Sequence, residues 1–209
     1  MRIAVFGATG GTGRQVVSQA LEKQHTVTAF ARAPHKAGPT REGLTVIQGD
    51  ALEFEAVARA VDGQDAVICA IGATATKAGR VRSESTRHML AAMEKAGIRR
   101  FVAQSTIGMG ETRPMLGPKY RWLLIPLLLR PTFADTARQE AVIQESDVDW
   151  TIVRCGALTD GERTGRYEHA TGTATSKVKG KISRADAAEF LLKQLEDDTY
   201  VRKAPYLTY

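Results

Sequence analysis

Apolar positions along this chain follow two alternating patterns. Short runs of β-branched, aromatic and small apolar residues, such as RIAVF over 2–6 and AVICAI over 66–71, read as buried strands. Between them lie longer stretches in which apolar residues return every three or four positions, as in Val16, Val17, Ala20 and Leu21. The pattern predicts strands near 2–6, 25–31, 44–48, 66–71, 100–104 and 149–154. Helices are predicted near 12–23, 53–61, 83–96, 134–146 and 184–196. Strands that alternate with helices imply an α/β architecture, a doubly wound parallel sheet with helices on both faces.

Several element edges carry their own signals. Asp62-Gly63 marks a turn before the fourth strand, and Gly97 follows EKA as a helix stop. Ser183 with Asp186 makes a capping-box-like start for the last helix. Two segments, 107–133 and 158–182, break the alternation with glycines and prolines, and are expected to form the substrate side of a crevice. The first contains WLLIPLLL over 122–129, which is too short to span a bilayer and carries Pro126. Packing on the core or on a dimer partner is expected for it, ahead of a membrane contact.

The chemistry begins at the first strand's end. Gly7 to Gly13 reads GATGGTG, glycines spaced by three between a strand and a helix. The first glycine allows a sharp turn, the second lets backbone approach a pyrophosphate, and the third lets the helix pack on the strand. The N–H groups at the helix start then face the anion, and the helix dipole favours its charge. At the end of the second strand, where an NAD site places a carboxylate for the ribose 2′-hydroxyl, this chain has Arg32, with Lys36 one turn on. A guanidinium suits a 2′-phosphate, so the pattern favours NADPH over NADH. The plainer reading of Arg32, a solvated strand-end cation, is the weaker one behind a glycine loop.

Composition narrows the picture further. The 209 residues suffice for one domain, taken as residues 1–209, and are few for two. Cys69 and Cys155 lie inside apolar strand-like runs and read as reduced core residues, which fits a cytoplasmic protein. No signal-peptide pattern opens the chain. The net charge of +6 is spread along the sequence; the densest pattern, Lys177, Lys179 and Lys181, suits the exposed face of a strand. Without an aromatic stacking platform or a recognition helix, nucleic acid is not an expected partner.

Other strand ends carry candidate groups. Asp50, after VIQG, can accept from an adenine amino group, cap the next helix, or do both. Ala70, Ile71 and Gly72 end the fourth strand, where a backbone path beside the ribose is expected. Ser105 and Thr106 end the fifth; their hydroxyls are candidates to point at the nicotinamide and polarise a substrate carbonyl, or to cap the following turn.

The chain resembles the short-chain dehydrogenase/reductase superfamily in its atypical branch, most of all the biliverdin reductase B and flavin reductase group, with NmrA-type proteins as more distant relatives. The likeness rests on GATGGTG, VTAFAR, GQDAVICAIG, SESTRHMLAAMEKAGIRRFV, DWTIVRCGALTD and GKISRADAAEFLLKQLEDDTY, and so covers nearly the whole chain. It implies a Rossmann-like fold. By this resemblance Gly7, Thr9, Gly10, Gly11, Thr12 and Gly13 hold the pyrophosphate, and Arg32 and Lys36 match a 2′-phosphate pair. Asp50 and Ala51 line the adenine, and Arg87 matches an arginine near the cofactor. Cys155, Gly156, Ala157 and Leu158 match the loop that meets the carboxamide by main chain. Thr106 matches the catalytic-side serine, with Ser105 beside it.

The departures bear on chemistry. The superfamily's proton donor is a tyrosine followed four residues later by lysine, which lowers the phenol's pKa. Here Tyr120 is followed at that spacing by Leu124, Tyr167 by Thr171 and Tyr200 by Ala204. The flavin and biliverdin reductase group also lacks the pair. Where that group has a histidine after its sixth strand this chain has Ala157, and its usual proline is Cys155. His25, His35, His88 and His169 match no family site and are expected on the surface or in packing.

The expected function is therefore NADPH-dependent reduction of a small planar conjugated acceptor: a flavin such as FMN, a biliverdin-like tetrapyrrole or a quinone. The alternative is an NmrA-like NADP(H) sensor without turnover. No metal and no membrane span are expected, and the protein is expected to be a monomer or homodimer.

Overall fold

The computed structural model describes residues 1–36, 38, 39, 41–72, 79–174 and 179–209. Lys177, the first of the three alternating lysines, lies outside the described residues; Lys179 and Lys181 are exposed. The first half of the chain runs β1 (Arg2–Phe6), α1 (Gly11–Glu22), β2 (Thr26–Ala31), β3 (Leu44–Gln48), α2 (Phe54–Val61), β4 (Ala66–Cys69) and α3 (Val81–Ala96). The second half runs β5 (Arg100–Thr106), α4 (Arg130–Gln144), β6 (Asp149–Cys155), β7 (Ala157–Thr159), β8 (Glu168–Ala170), β9 (Lys181–Ser183), α5 (Arg184–Lys193) and β10 (Tyr206–Thr208).

Eight strands form one sheet in the order β3-β2-β1-β4-β5-β6-β10-β8. All neighbours pair parallel except β8, which runs antiparallel to β10 at the edge. The order reverses at β1, which pairs with β2 on one side and β4 on the other. A crevice opens at the carboxyl ends of the strands at such a switch point.

The two-residue period of β1 divides the core. Ile3 and Val5 point to a layer with Val16 and Ala20 of α1 and Phe190 and Leu191 of α5. Ala4 and Phe6 point to the opposite layer with Val57 of α2, Met89 and Met93 of α3 and Ile143 of α4. Gln19 Nε2 donates to the Ala185 carbonyl at 2.9 Å and ties α1 to α5.

The predicted edges at Gly63 and Gly97 have φ of 68° and 69°, the left-handed region that glycine occupies without a Cβ penalty. Ser183 caps α5 as expected, its Oγ accepting from the Asp186 N–H at 3.0 Å. The reciprocal arm is different: the Ser183 N–H donates to the Tyr209 hydroxyl at 3.2 Å, and the Asp186 carboxylate binds Thr164, Gly165 and Tyr209 instead.

Three expectations are corrected. First, β4 stops at Cys69, so Ala70, Ile71 and Gly72 follow the strand rather than end it. Second, α4 begins at Arg130 rather than 134, continuing from a π-helical stretch, Tyr120–Leu129, that contains Pro126. Third, of the two places expected for the apolar run the core one is excluded: no residue of that π-helix is buried, and Trp122 and Leu127 are 73% and 76% exposed. The apolar run therefore does not pack into the core; both faces of the sheet are already covered by the other helices.

Candidate active site

A cleft of about 780 Å³ lies at the carboxyl ends of the central strands. Its floor is the turn between β1 and α1. Gly7 has φ 81°, and a Cβ there would stand 2.6 Å from the Ala70 carbonyl carbon. A Cβ on Gly13 would stand 2.1 Å from the Gly7 carbonyl oxygen, so α1 packs directly on the turn. The Gly10 N–H donates to the Gly7 carbonyl at 2.9 Å, and Gly10 is the N-cap of α1 with no side-chain cap. The first N–H groups of α1 are left for an anion. Gly7, Thr9, Gly10, Gly11 and Thr12 line the cleft; Gly13 sits behind them as packing.

Sheet order lays the other lining residues out in a row. On the β2 and β3 side are Arg32, Lys36, Asp50 and Ala51. On the β4 and β5 side are Ala70, Ile71, Gly72 and Gln104, with Leu158 of β7. The cleft thus brings together the expected adenine, phosphate and ribose residues. Asp50 does not cap α2. Its Oδ1 accepts from the Leu52 N–H at 3.0 Å, closing the turn, and Glu53 stands at the N-cap without a side-chain bond. Ala51 is buried, and its carbonyl lies 3.1 Å from His88 Nδ1.

Charge in the cleft is one-sided. Arg14, Arg32, Lys36, Arg82 and Arg184 line it, against the single carboxylate of Asp50 among the described lining residues. Arg184 lies across the glycine turn, where a Cβ on Gly11 would meet its Nε at 2.6 Å. Asp160 Oδ1 holds the Arg184 guanidinium at 2.6 Å. A dinucleotide phosphate fits the glycine backbone with Arg14, Arg32, Lys36 and Arg184 around it, and Arg82 stands apart at the start of α3.

Other expected residues lie elsewhere. Arg87 is on the exposed face of α3, 3.9 Å from Glu84. The N–H groups of Gly156 and Ala157 already donate, at 2.9 Å each, to the carbonyls of Leu207 and Gly180. The buried thiol of Cys155 is pushed up to about 12 by burial. Of the 155–158 loop, only Leu158 lines the cleft.

Ser105 requires a correction. Its hydroxyl is buried and donates to Glu140 Oε1 at 2.5 Å, instead of standing free at the cleft. Glu140 also holds Arg154 Nη2 at 2.8 Å, and Arg154 Nη1 lies 2.7 Å from Glu111 Oε2. Burial opposes the charge of Arg154, but the hydrogen bonds and charges of Glu140 and Glu111 outweigh it and hold the guanidinium's pKa above its ordinary value. Thr106, the other expected hydroxyl, donates to the Ile107 carbonyl at 3.2 Å and does not line the cleft.

Comparisons with known proteins give the family and the fold. The model of the NAD(P)H-binding family matches residues 7–198. The chain belongs to that family. It is 29% identical to the photosystem II assembly factor Ycf39 of Synechocystis, over 97% of this chain and 61% of that protein. A short-chain dehydrogenase/reductase of Veillonella parvula, solved in complex with NADP, superposes with a TM-score of 0.85 at 18% identity, covering 100% of this chain and 94% of that one. ChuY, an anaerobilin reductase from Escherichia coli O157:H7, superposes with a TM-score of 0.81 at 24% identity, covering 100% and 97%. At such identities the two structures establish the fold.

Within this member of the NAD(P)H-binding family, sequence reasoning missed Arg14, Arg82, Gln104 and Arg184. Gln104 carried a signal, as a lone amide inside the strand FVAQST. Arg184 carried none, because a loop 24 residues away, through Asp160, and the glycine turn place it. The segment 107–133 contributes nothing to the cleft among its lining residues. The segment 158–182 mainly borders a separate cavity of about 800 Å³, lined by Thr159, Arg166, Tyr167, Lys181 and Tyr209 among others. The histidines pack or sit at the surface: His25 lies 3.8 Å from Glu196, and His169 Nδ1 lies 2.9 Å from the Tyr200 hydroxyl. Among the described residues no helix is long and apolar enough to cross a membrane.

Proposed function

We propose that this protein is an NADPH-dependent oxidoreductase that reduces a planar conjugated acceptor such as a flavin, a biliverdin-like tetrapyrrole or a quinone. The observation that carries the reading is that Arg32 and Lys36 line the same cleft as the bare glycine turn, with no carboxylate at the end of β2. Arg32 and Lys36 hold the 2′-phosphate, Gly10 to Thr12 the pyrophosphate, and Asp50 and Ala51 border the adenine.

The bound cofactor supplies a hydride from its reduced nicotinamide ring. The chain's part is to orient the ring and exclude water, through the backbone of Ala70 to Gly72 and the side chain of Leu158. Among the described lining residues there is no histidine, tyrosine or cysteine to donate a proton. Reduction of a flavin, quinone or tetrapyrrole tolerates that, because solvent supplies the proton. The fold it shares with an anaerobilin reductase supports a tetrapyrrole among the acceptors.

The test is loss of the reduced-nicotinamide absorbance on adding FMN, biliverdin or a quinone, with NADPH and separately with NADH. Oxidation of NADPH with at least one acceptor is expected; none with any, while NADPH binds, overturns the reading.

The commitment of the Ser105 hydroxyl to Glu140 also favours a second reading, an NmrA-like NADP(H) sensor without turnover. A sensor binds NADPH and NADP⁺ with different strength and changes its association with a protein partner. Equal binding of the two and no partner excludes it.

A further inference from the structure

The cofactor reading leaves one cation of the cleft unused. Arg32 and Lys36 are assigned to the 2′-phosphate, and Arg14 and Arg184 border the glycine turn. Arg82, at the start of α3, lines the cleft beyond that turn, on the β4 side. Its Nη1 donates to Gln139 Oε1 at 3.3 Å, and Gln139 in turn lies 3.6 Å from Cys69 Sγ at the end of β4.

No carboxylate neutralises this guanidinium among the described residues. Asp135 is the neighbouring acid, but it accepts from the Arg82 main-chain N–H at 2.9 Å and from Ser83 Oγ at 2.7 Å, and it pairs with Arg138 at 3.5 Å. The stretch 73–78 that precedes α3 contains no Asp or Glu. Arg82 Nε is shielded from solvent and has no hydrogen-bond partner among the described residues. Desolvation lowers the pKa of Arg82, outweighing the more distant attraction of Asp135. A desolvated, unpaired cation is costly unless a ligand completes it.

A second group points the same way. Gln104, on β5, is 9% exposed and lines the same cleft, and its Oε1 has no hydrogen-bond partner. That oxygen is shielded from solvent, so the amide serves as a polar border of the cleft beside Arg82.

NADPH cannot supply the anion. Its phosphates all lie on the adenosine half and the bridge, which the row of strands places at β2 and β1. The nicotinamide half, on the β4 and β5 side, carries no negative charge. We propose that Arg82 and Gln104 form the acceptor subsite, and that the acceptor is an anion. It is a planar conjugated molecule whose carboxylate or phosphate meets Arg82, with the Gln104 amide bordering it on the β5 side. The assignment rests on the dinucleotide reading of the cleft.

The experiment is equilibrium binding to the protein saturated with NADP⁺, using two matched pairs: FMN against riboflavin, and biliverdin against its dimethyl ester. The charged member of at least one pair is expected to bind about tenfold tighter, as a hydrogen bond to a charged group implies. A preference in the flavin pair identifies a phosphate, and one in the tetrapyrrole pair a carboxylate. Arg82→Met brings the pair to within about threefold without changing the NADP⁺ affinity, and Arg82→Lys keeps part of the preference. Gln104→Leu weakens both members alike. Equal binding of both pairs to the unmodified protein overturns the proposal, as does a preference that survives Arg82→Met. A loss of NADP⁺ affinity in Arg82→Met also overturns it, by assigning Arg82 to the cofactor. If the charged member is preferred but no acceptor is reduced, the reductase reading fails and the anion subsite stands.

Discussion

The Ser105 hydroxyl lies 2.5 Å from Glu140 Oε1, and the same carboxylate holds the Arg154 guanidinium at 2.8 Å. A strand-end hydroxyl is thereby drawn into an ion network that joins β5, α4 and β6. Glu111 extends the network, and Gly110 makes room for it: a Cβ there would stand 2.6 Å from Arg154 Nη2.

Glu140→Leu is expected to destabilise the fold by about 3–5 kcal/mol, because it leaves a buried guanidinium short of its main partner. Ser105→Ala removes one hydrogen bond and costs about 1 kcal/mol. Urea denaturation midpoints check both. Ser105→Ala is also expected to leave NADPH oxidation within about threefold of the unmodified protein; a loss of a hundredfold or more, in the range of a proton-transfer group, returns Ser105 to the chemistry.

If Arg32 holds the 2′-phosphate as proposed, Arg32→Asp exchanges a phosphate donor for a carboxylate that repels phosphate and accepts from a ribose hydroxyl. The ratio of NADPH to NADH affinity should fall by about tenfold or more. Titration of the protein's intrinsic fluorescence with each cofactor measures it, and an unchanged ratio excludes Arg32 from the 2′-phosphate.

Gly13→Ala places a methyl group 2.1 Å from the Gly7 carbonyl oxygen. The helix must shift from the turn, at a cost of about 1–3 kcal/mol. Cofactor affinity should fall with it, because the shift moves the N–H groups of α1. Isothermal titration with NADPH beside a thermal melt separates the two effects.

Acid stability has a defined sign. Burial pushes the carboxyl pKa of Asp186 up, but the Tyr209 hydroxyl and the N–H and O–H donors of Gly165 and Thr164 outweigh it and hold the value below the ordinary one. Burial likewise opposes Glu111, and its hydrogen bond from Arg154 wins. Folded carboxyls with lowered pKa contribute stability that is full above the unfolded values near about 4 and is lost as pH falls through the folded ones. The denaturation midpoint should change little from these groups between pH 7 and 5 and drop below about pH 4. Asp186→Asn should shrink that drop; an unaltered drop means the load lies on other carboxylates.

Trp122→Ser and Leu127→Ser alter side chains that are 73% and 76% exposed. Each should change folding stability by less than about 0.5 kcal/mol, as surface positions do. A larger loss in the denaturation midpoint shows that this π-helix is covered in solution.

The strand and helix alternation, the glycine turn and the cationic end of β2 were legible from the residues, because each is local. Periodicity sets which side of β1 faces which layer, and Gly10 and Gly13 answer steric demands within a few residues of themselves, whereas the close approach at Gly7 is to the distant Ala70. The short strands β7 to β10 could not be delimited, although the alternating lysines pointed to a strand near β9, since three residues carry too little period to read.

What the sequence by itself determined is the parallel α/β sheet, the glycine turn and the absence of a tyrosine–lysine pair. Tertiary structure alone decided which polar side chains are free. Ser105 and Gln104 are neighbours on one strand, yet Glu140 of α4 takes the hydroxyl of the first, while the second lines the cleft and its buried amide oxygen has no partner among the described residues. Arg82 and Arg154 are both desolvated arginines, and only the second meets carboxylates, from residues 14 and 43 positions away. Successive residues of a strand face opposite layers, and what each layer brings from distant sequence decides whether a polar group is satisfied there or left for a ligand.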